Sequence, residues 1–326
     1  MNILVLGGAG YIGSHFVKQA IIEGHYVIVI DNLQTGHLKA VDRKAVFYKG
    51  DIRDASFLDY LFNSEKIDAC VHFAANSLVG VSMKEPLQYF DNNVNGTIEL
   101  LKAMQRHNVN FIVFSSSAAV YGSHQVMPIT EEFSTIPTNP YGESKLMMEK
   151  MMKWADLAYG IRYVSLRYFN VAGASEDHSI GEVHIPETHL IPLVLRVPLG
   201  KTDKITVFGS DYQTPDGTCI RDYIHMYDLI QAHLKSLNYL IQGNVSNIIN
   251  LGSNSGYSNL EVINTARKIT NHPIPMIMGD RRPGDPDQLI ASNKKAYSLL
   301  GWKPTKNLED IIKDAWAFHQ AHPEGY

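Results

Sequence analysis

The stretch MNILVLGGAGYIGS, residues 1–14, sets how the rest of the chain is read. A short apolar run at residues 3–6 ends at Gly7, and Gly10 and Gly13 follow at three-residue spacing before a helix-length segment. A strand that turns sharply into a helix needs residues without a Cβ, and bare backbone lets a pyrophosphate come close. The helix start adds free N–H groups and a partial positive charge. An ordinary tight turn would use the same glycines, but the context adds to them. The next strand, at 27–30, runs into Asp31, whose carboxylate can bond both ribose hydroxyls of an adenosine and repel a 2′-phosphate. These residues predict a dinucleotide site that takes NAD in preference to NADP.

Outward from there, short apolar runs at 3–6, 27–30, 46–48, 69–73, 111–115 and 163–166 read as buried strands. Helix-length segments at 11–23, 55–63, 88–107 and 141–159 lie between several of them. Repeated strand–helix–strand units predict an α/β fold: a Rossmann-type doubly wound parallel sheet, with ligands beyond the carboxyl ends of the strands. After residue 170 the texture changes, and Gly, Pro, Asp and Thr crowd 173–186, 209–217, 271–275 and 281–286. The expectation is a dinucleotide-binding domain over 1–170 and a smaller mixed α/β substrate domain over 171–326, with the chain crossing back between them.

Composition narrows the function. The 326 residues are 45% hydrophobic and 19% charged, enough apolar content for a full core and too little charge for a disordered chain or a coiled coil. Lys plus Arg is 29 against 33 Asp plus Glu, so nucleic acid is not the expected partner. Cys70 and Cys219 are the only cysteines, and neither CxxC nor HExxH occurs, so a metal site has no local support. The sequence offers no signal peptide and no run of 18 apolar residues, so a cytoplasmic protein without a membrane span is expected.

Tyr141 and Lys145 stand four apart, just after Asn139-Pro140. Asn caps helices and Pro suits their first turn, so both side chains are expected on one face near a helix N-terminus. With 17 tyrosines in the chain such a pair also arises by accident, so its surroundings carry the weight. The strand at 111–115 runs into Ser116-Ser117, which brings hydroxyls to the same sheet edge. There Ser117, Tyr141 and Lys145 could meet over one nicotinamide, although Ser117 also suits a helix cap. Oxidising an alcohol needs a base for its proton, and a free phenol, with a pKa of about 10, is a poor one. An ammonium and a helix N-terminus would lower it toward 7, a change of roughly 4 kcal/mol.

The set Gly7-Gly8-Ala9-Gly10-Tyr11-Ile12-Gly13, Asp31-Asn32, Gly50-Asp51-Ile52, His72-Phe73-Ala74-Ala75, Asp91-Asn92-Asn93, Ser115-Ser116-Ser117 and Tyr141-Gly142-Glu143-Ser144-Lys145 resembles the extended short-chain dehydrogenase/reductase family. Later segments are similar to the branch of that family that inverts carbon 4 of UDP-hexoses. They are Leu166-Arg167-Tyr168-Phe169-Asn170, Phe208-Gly209-Ser210-Asp211-Tyr212, Asp216-Gly217-Thr218, Arg221-Asp222-Tyr223-Ile224-His225 and Arg281-Arg282-Pro283-Gly284-Asp285. The resemblance runs in order along nearly the whole chain. It implies a tightly held NAD, interconversion of UDP-glucose and UDP-galactose through a transient 4-keto sugar, a place in galactose metabolism, and a homodimer paired through the helix that carries Tyr141 and the one before it.

By resemblance, Tyr141 is the base, Lys145 its partner and a ribose ligand, and Ser117 the substrate hydroxyl ligand. Gly7, Gly10, Tyr11, Ile12 and Gly13 cradle the pyrophosphate. Asp31, Asn32, Leu33, Gln34, Thr35 and Gly36 hold the adenosine, and Asp51 and Ile52 the adenine. Phe73, Ala74, Ala75, Asn76, Ser77 and Asn92 take the rest of the cofactor, with Phe169 at the nicotinamide. Asn170, His189, Leu190, Thr206, Val207, Phe208, Arg221, Arg282 and Asp285 would bind the UDP part, and Leu289 would limit space beside carbon 2 of the sugar. Many relatives carry Lys where this chain has Ser77, and Asn where it has His189.

Two other readings share the fold. A nucleotide-sugar 4,6-dehydratase needs an added acid/base pair, which in those enzymes is Asp-Glu directly after the active-site Ser or Thr. Here Ser117 is followed by Ala118-Ala119. A non-catalytic dinucleotide-binding protein tends to lose the Tyr or the Lys, and both are present.

Overall fold

A computed structural model describes residues 1–124, 126–282 and 285–326. Pro283-Gly284, quoted above, lies outside the described residues. The first strands and helices alternate as the apolar runs dictate: β1 (Asn2–Leu6), α1 (Tyr11–Ile22), β2 (Tyr26–Asp31), β3 (Val46–Lys49), α2 (Ala55–Ser64) and β4 (Ala69–His72). They continue with α3 (Gly96–Arg106), β5 (Phe111–Ser115), α4 (Pro140–Tyr159), β6 (Arg162–Tyr168), α5 (Met226–Ile241) and β7 (Asn247–Leu251). The seven strands pair in the order β7-β6-β5-β4-β1-β2-β3, every pair parallel.

Alternate residues of each strand face opposite layers. Ile3, Val5, Val27 and Val29 pack with Phe16 and Val17 of α1 and with Leu229 and Ile230 of α5. Leu4, Leu6, Ile28 and Ile30 pack with Leu58 and Leu61 of α2, Leu100 of α3, and Met148 and Met152 of α4. The sheet is therefore buried on both faces, as a parallel sheet requires.

Two details depart from the sequence reading. The helix expected over 88–107 is wound three ways: a turn at Pro86–Tyr89, a π-helical stretch Phe90–Asn95, and α3. The seventh strand, β7, was not foreseen; it extends the sheet beyond β6 and reaches it through α5, from far along the chain.

The remaining segments form a cap over the carboxyl ends of the strands. Strand Ile205–Phe208 pairs with Met276–Gly279, and Ile220–Arg221 lies between Tyr257–Ser258 and Gln288–Leu289. Val194, Leu195, Val262, Ile263, Ile311 and Ile312 make its separate core. Cys70 and Cys219 are both buried and unpaired. Among the described residues, no helix is long and apolar enough to cross a membrane.

Candidate active site

Between the strand ends and the cap lies a cavity of about 1050 Å³. Its floor starts at the first turn. Gly7 has φ +79, and a Cβ there would sit 2.6 Å from the Ala74 nitrogen; at Gly13 it would sit 2.1 Å from the Gly7 carbonyl oxygen. No side chain fits at either position, so backbone forms the wall. The first amide bonded within α1 is that of Ser14, to Gly10, which leaves the amides of Tyr11, Ile12 and Gly13 without helical partners. Asp31 closes this end. Its carboxylate accepts from the amides of Ala9 at 3.0 Å and Leu33 at 2.8 Å, while burial pushes its pKa up and those bonds oppose the shift.

At the other end β5 stops at Ser115, and α4 begins with the Asn139 side chain accepting from the Gly142 amide. Tyr141 and Lys145 thus share one face of the first turns of α4, with Ser117 opposite. Ser117 does two things: its oxygen accepts from the Ala119 amide at 3.1 Å, capping the single turn Ala118–Val120, and its hydroxyl faces the Tyr141 phenol. Burial pushes the phenol pKa up, and the contact with Ser117 pulls it back only in part.

In the protein chain alone the phenol thus lies above its ordinary value, not lowered toward 7. The Lys145 ammonium donates to the Ser115 carbonyl at 2.8 Å and lies 4.9 Å from the Phe114 ring centre, against 5.9 Å from that of Tyr141. Its hydrogen bond goes to the edge of the sheet. Burial lowers Lys145 to about 7, with Glu149 opposing.

Of the expected residues, Gly7, Gly10, Tyr11, Ile12, Gly13, Asp31, Asn32, Gln34, Thr35, Ile52, Phe73, Ala74, Ala75, Asn76, Ser77, Asn92, Ser117, Tyr141, Lys145 and Phe169 line the cavity. Asn170, His189, Leu190, Thr206, Phe208, Arg221, Arg282, Asp285 and Leu289 line it from the cap. Four do not reach it. The Leu33 amide serves the Asp31 turn. Gly36 packs against Ala9. Asp51 is gripped by Arg53 at 2.8 Å, and Arg53 in turn holds Asp91 at 2.6 Å. Val207 faces the cap core, because strand alternation turns it away from Thr206 and Phe208.

In the cap, Arg221 donates to the carbonyls of Ile220 at 2.9 Å and Pro286 at 3.0 Å, and lies 3.4 Å from Asp285. Arg282 stacks over Phe208, its guanidinium carbon 4.3 Å from the ring centre. Leu289 lines the cavity and also packs against Val120, Tyr121, Ile129 and Leu146.

Sequence reasoning missed three features. Asn93 clamps the loop after β4 to α4: its amide bonds the Asn76 backbone at 2.8 and 3.1 Å and the Ser144 hydroxyl at 2.9 Å. Under Lys145, Glu149 and Arg167 form a buried ion pair, 2.8 Å from Nε to Oε1, and Ser116 donates to the same carboxylate at 2.6 Å.

The third is a charged quartet, Glu182, His184, Glu187 and His189. His189 lies 2.7 Å from Glu182 and 3.2 Å from Glu187; His184 lies 3.2 and 3.7 Å from the same two. Burial alone would lower both imidazoles, but the bonds to the carboxylates outweigh it and raise His184 to about 9 and His189 to about 10. The spacing Glu-x-His-x-x-Glu-x-His was the signal available in the sequence.

With this geometry in view, comparisons place the chain. Residues 4–315 match the family model described as GDP-mannose 4,6 dehydratase. The UDP-glucose 4-epimerase of Lacticaseibacillus casei is 57% identical, over 100% of this chain and 99% of its own. A crystal structure of a UDP-glucose 4-epimerase superposes with TM-score 0.99 at 54% identity, covering 100% of this chain and 99% of that one. The Bifidobacterium longum UDP-glucose 4-epimerase in complex with NAD+ and UDP gives TM-score 0.94 at 38% identity, over 100% of both chains. The chain therefore belongs to the GDP-mannose 4,6-dehydratase family of extended short-chain dehydrogenases/reductases and, within it, to the UDP-glucose 4-epimerases.

Proposed function

We propose that this chain is an NAD-dependent isomerase that inverts carbon 4 of UDP-hexoses, interconverting UDP-glucose and UDP-galactose. The observation that carries this reading is the meeting of Ser117, Tyr141 and Lys145 at one end of a cavity whose other end is the glycine turn. The turn fits a dinucleotide on its own geometry: a Cβ at Gly7 or Gly13 would collide with the backbone of Ala74 or of Gly7, so only glycine lets the turn close this tightly, and the amides of Tyr11, Ile12 and Gly13 are left without helical partners. Gly7, Gly10, Tyr11, Ile12 and Gly13 would hold the pyrophosphate, Asp31, Asn32, Gln34 and Thr35 the adenosine, and Phe73 to Ser77 with Asn92 the remainder. Bound there, NAD would supply the hydride acceptor and donor for carbon 4, and a positive charge.

Tyr141 takes the proton from the 4-hydroxyl, and Ser117 orients that oxygen. Since burial holds the phenol protonated, the ammonium of Lys145 and the added positive charge are needed to bring it into the range of a base. Arg221, Arg282 and Asn170 grip the diphosphate end, where guanidinium binds bidentately. Phe169 and Leu289 line the same cavity and would offer the sugar apolar contacts without fixed hydrogen bonds, which would leave it free to present either face.

Elimination of water is disfavoured, because Ala118 and Ala119 stand where a dehydratase needs its acid/base pair. The lobe built on 1–170, to which α5 and β7 cross back, would carry NAD, and the rest of 171–326 the UDP-sugar. Exposed Met147, Trp154 and Leu157 on α4 suit a homodimer, and two free cysteines suit a reducing cytoplasm.

The test is direct. Purified chain with NAD and UDP-galactose should yield UDP-glucose without net NADH. Net NADH formation, a dehydrated 4-keto-6-deoxy sugar, or no turnover would each reject the reading.

A further inference from the structure

We propose that Glu182, His184, Glu187 and His189 form a binding site for one divalent transition-metal ion of the zinc type. Their four ligating atoms lie within 4.8 Å of one another. A tetrahedral site with bonds of about 2.0–2.2 Å has ligand–ligand edges of about 3.3–3.6 Å. The four imidazole-to-carboxylate distances are 3.2, 3.7, 2.7 and 3.2 Å, the two to Glu187 running to different oxygens of its carboxylate. Three of them lie close to a tetrahedral edge, and an ion enters once the His189–Glu182 pair opens by about 0.6–0.9 Å.

The donor chemistry selects the ion. Two imidazole nitrogens with two carboxylate oxygens suit zinc and its transition-metal neighbours, whereas magnesium and calcium prefer oxygen alone. The carboxylates are already positioned. Glu187 accepts from the amides of Thr188 at 2.7 Å and His189 at 2.8 Å, and the Glu182 side chain is 5% exposed. Such supporting bonds orient ligands before the metal arrives. Access is from the cavity, where His184 and His189 form part of the wall and His189 is half exposed. His184 also stands edge-on to Tyr11, 6.2 Å between ring centres, so the ion would sit beside the glycine turn.

Two protonated imidazoles against two carboxylates make the same contacts with no metal, and the experiment separates the two cases. Untagged protein stripped with a chelator is titrated with Zn²⁺ and, separately, Co²⁺. The expected result is one Zn²⁺ per chain that a large excess of Mg²⁺ does not displace, and the intense visible bands of four-coordinate cobalt. His184→Ala should abolish the bands and lower zinc stoichiometry by one. Glu182→Gln, which keeps the shape of the side chain, carries the same test if His184→Ala does not fold. Only the weak spectrum of six-coordinate cobalt, or equal zinc binding by wild type and Glu182→Gln, would overturn the proposal.

Discussion

The two ends of the cavity bury ionisable side chains in opposite ways. At the Tyr141 end, Tyr141 and Lys145 make no ion pair among the described residues, and burial drives both toward neutrality, the phenol up and the lysine down to about 7. At the Glu182 end four groups, from buried Glu182 to half-exposed His189, are packed against one another, and pairing keeps them charged in spite of desolvation. Desolvation acts on both; only the presence of a partner changes its outcome. The first end has a lysine brought to about 7 close to a phenol that keeps its proton, a pair with no fixed counter-charge. The second has fixed charge suited to binding.

The comparison breaks most visibly one turn beyond Lys145. Glu149 and Arg167 are 2% and 5% exposed and paired. Glu149→Gln leaves a buried guanidinium without its counter-charge, and should cost about 3–5 kcal/mol in urea unfolding. A loss under ~1 kcal/mol would show that water or another group replaces the carboxylate. Glu182→Gln should act in the same direction but more gently, about 2–3 kcal/mol in the presence of chelator, because the His189 side chain is 49% exposed. If this variant is as stable as wild type, the quartet is not a paired cluster.

Lys145 sharpens the contrast through pH. Its folded value of about 7 lies below the unfolded value of about 10.4, so between those limits the unfolded chain binds more protons. The contribution of this site to stability therefore rises with pH across that window. Lys145→Met should be more stable than wild type by about 1–2 kcal/mol below pH 7, and the advantage should fade toward pH 10. A pH-independent difference would mean that burial does not shift this lysine.

The smallest expected effect concerns Leu289. It touches both the cavity and the Val120 cluster, so enlarging and shrinking it should have opposite effects on N-acetylated sugars. UDP-N-acetylglucosamine is expected to turn over more slowly than UDP-glucose. Leu289→Tyr and Leu289→Ser should shift the ratio of kcat/KM for the two sugars in opposite senses, by more than about threefold or roughly 0.65 kcal/mol. Smaller shifts would place the limit elsewhere.

The same contrast explains what was legible in the sequence. Strands β1 to β6 are short, mostly apolar runs, and the glycine, aspartate and serine at the ends of β1, β2 and β5 locate Gly7, Asp31 and Ser117 without further information. Strand β7, NIINL, was hidden because Asn250 interrupts its apolar pattern. Its polarity is satisfied by distant groups, the Tyr121 hydroxyl at 2.7 Å and the Ile129 carbonyl at 3.2 Å. The helical spacing of Tyr141 and Lys145 was readable, but the direction of their ammonium–phenol coupling was not, since it depends on the Ser115 carbonyl taking the ammonium. The quartet lies on an irregular loop with no period, and only the folded chain brings its four side chains together.

The central claim is that Tyr141 moves the proton of the 4-hydroxyl, and Tyr141→Phe tests it most directly. With circular dichroism and NAD binding unchanged, the variant should convert UDP-galactose at less than a tenth of the wild-type rate, a barrier increase above ~1.4 kcal/mol. A folded, NAD-bound variant that keeps more than a tenth of the wild-type rate would contradict the account.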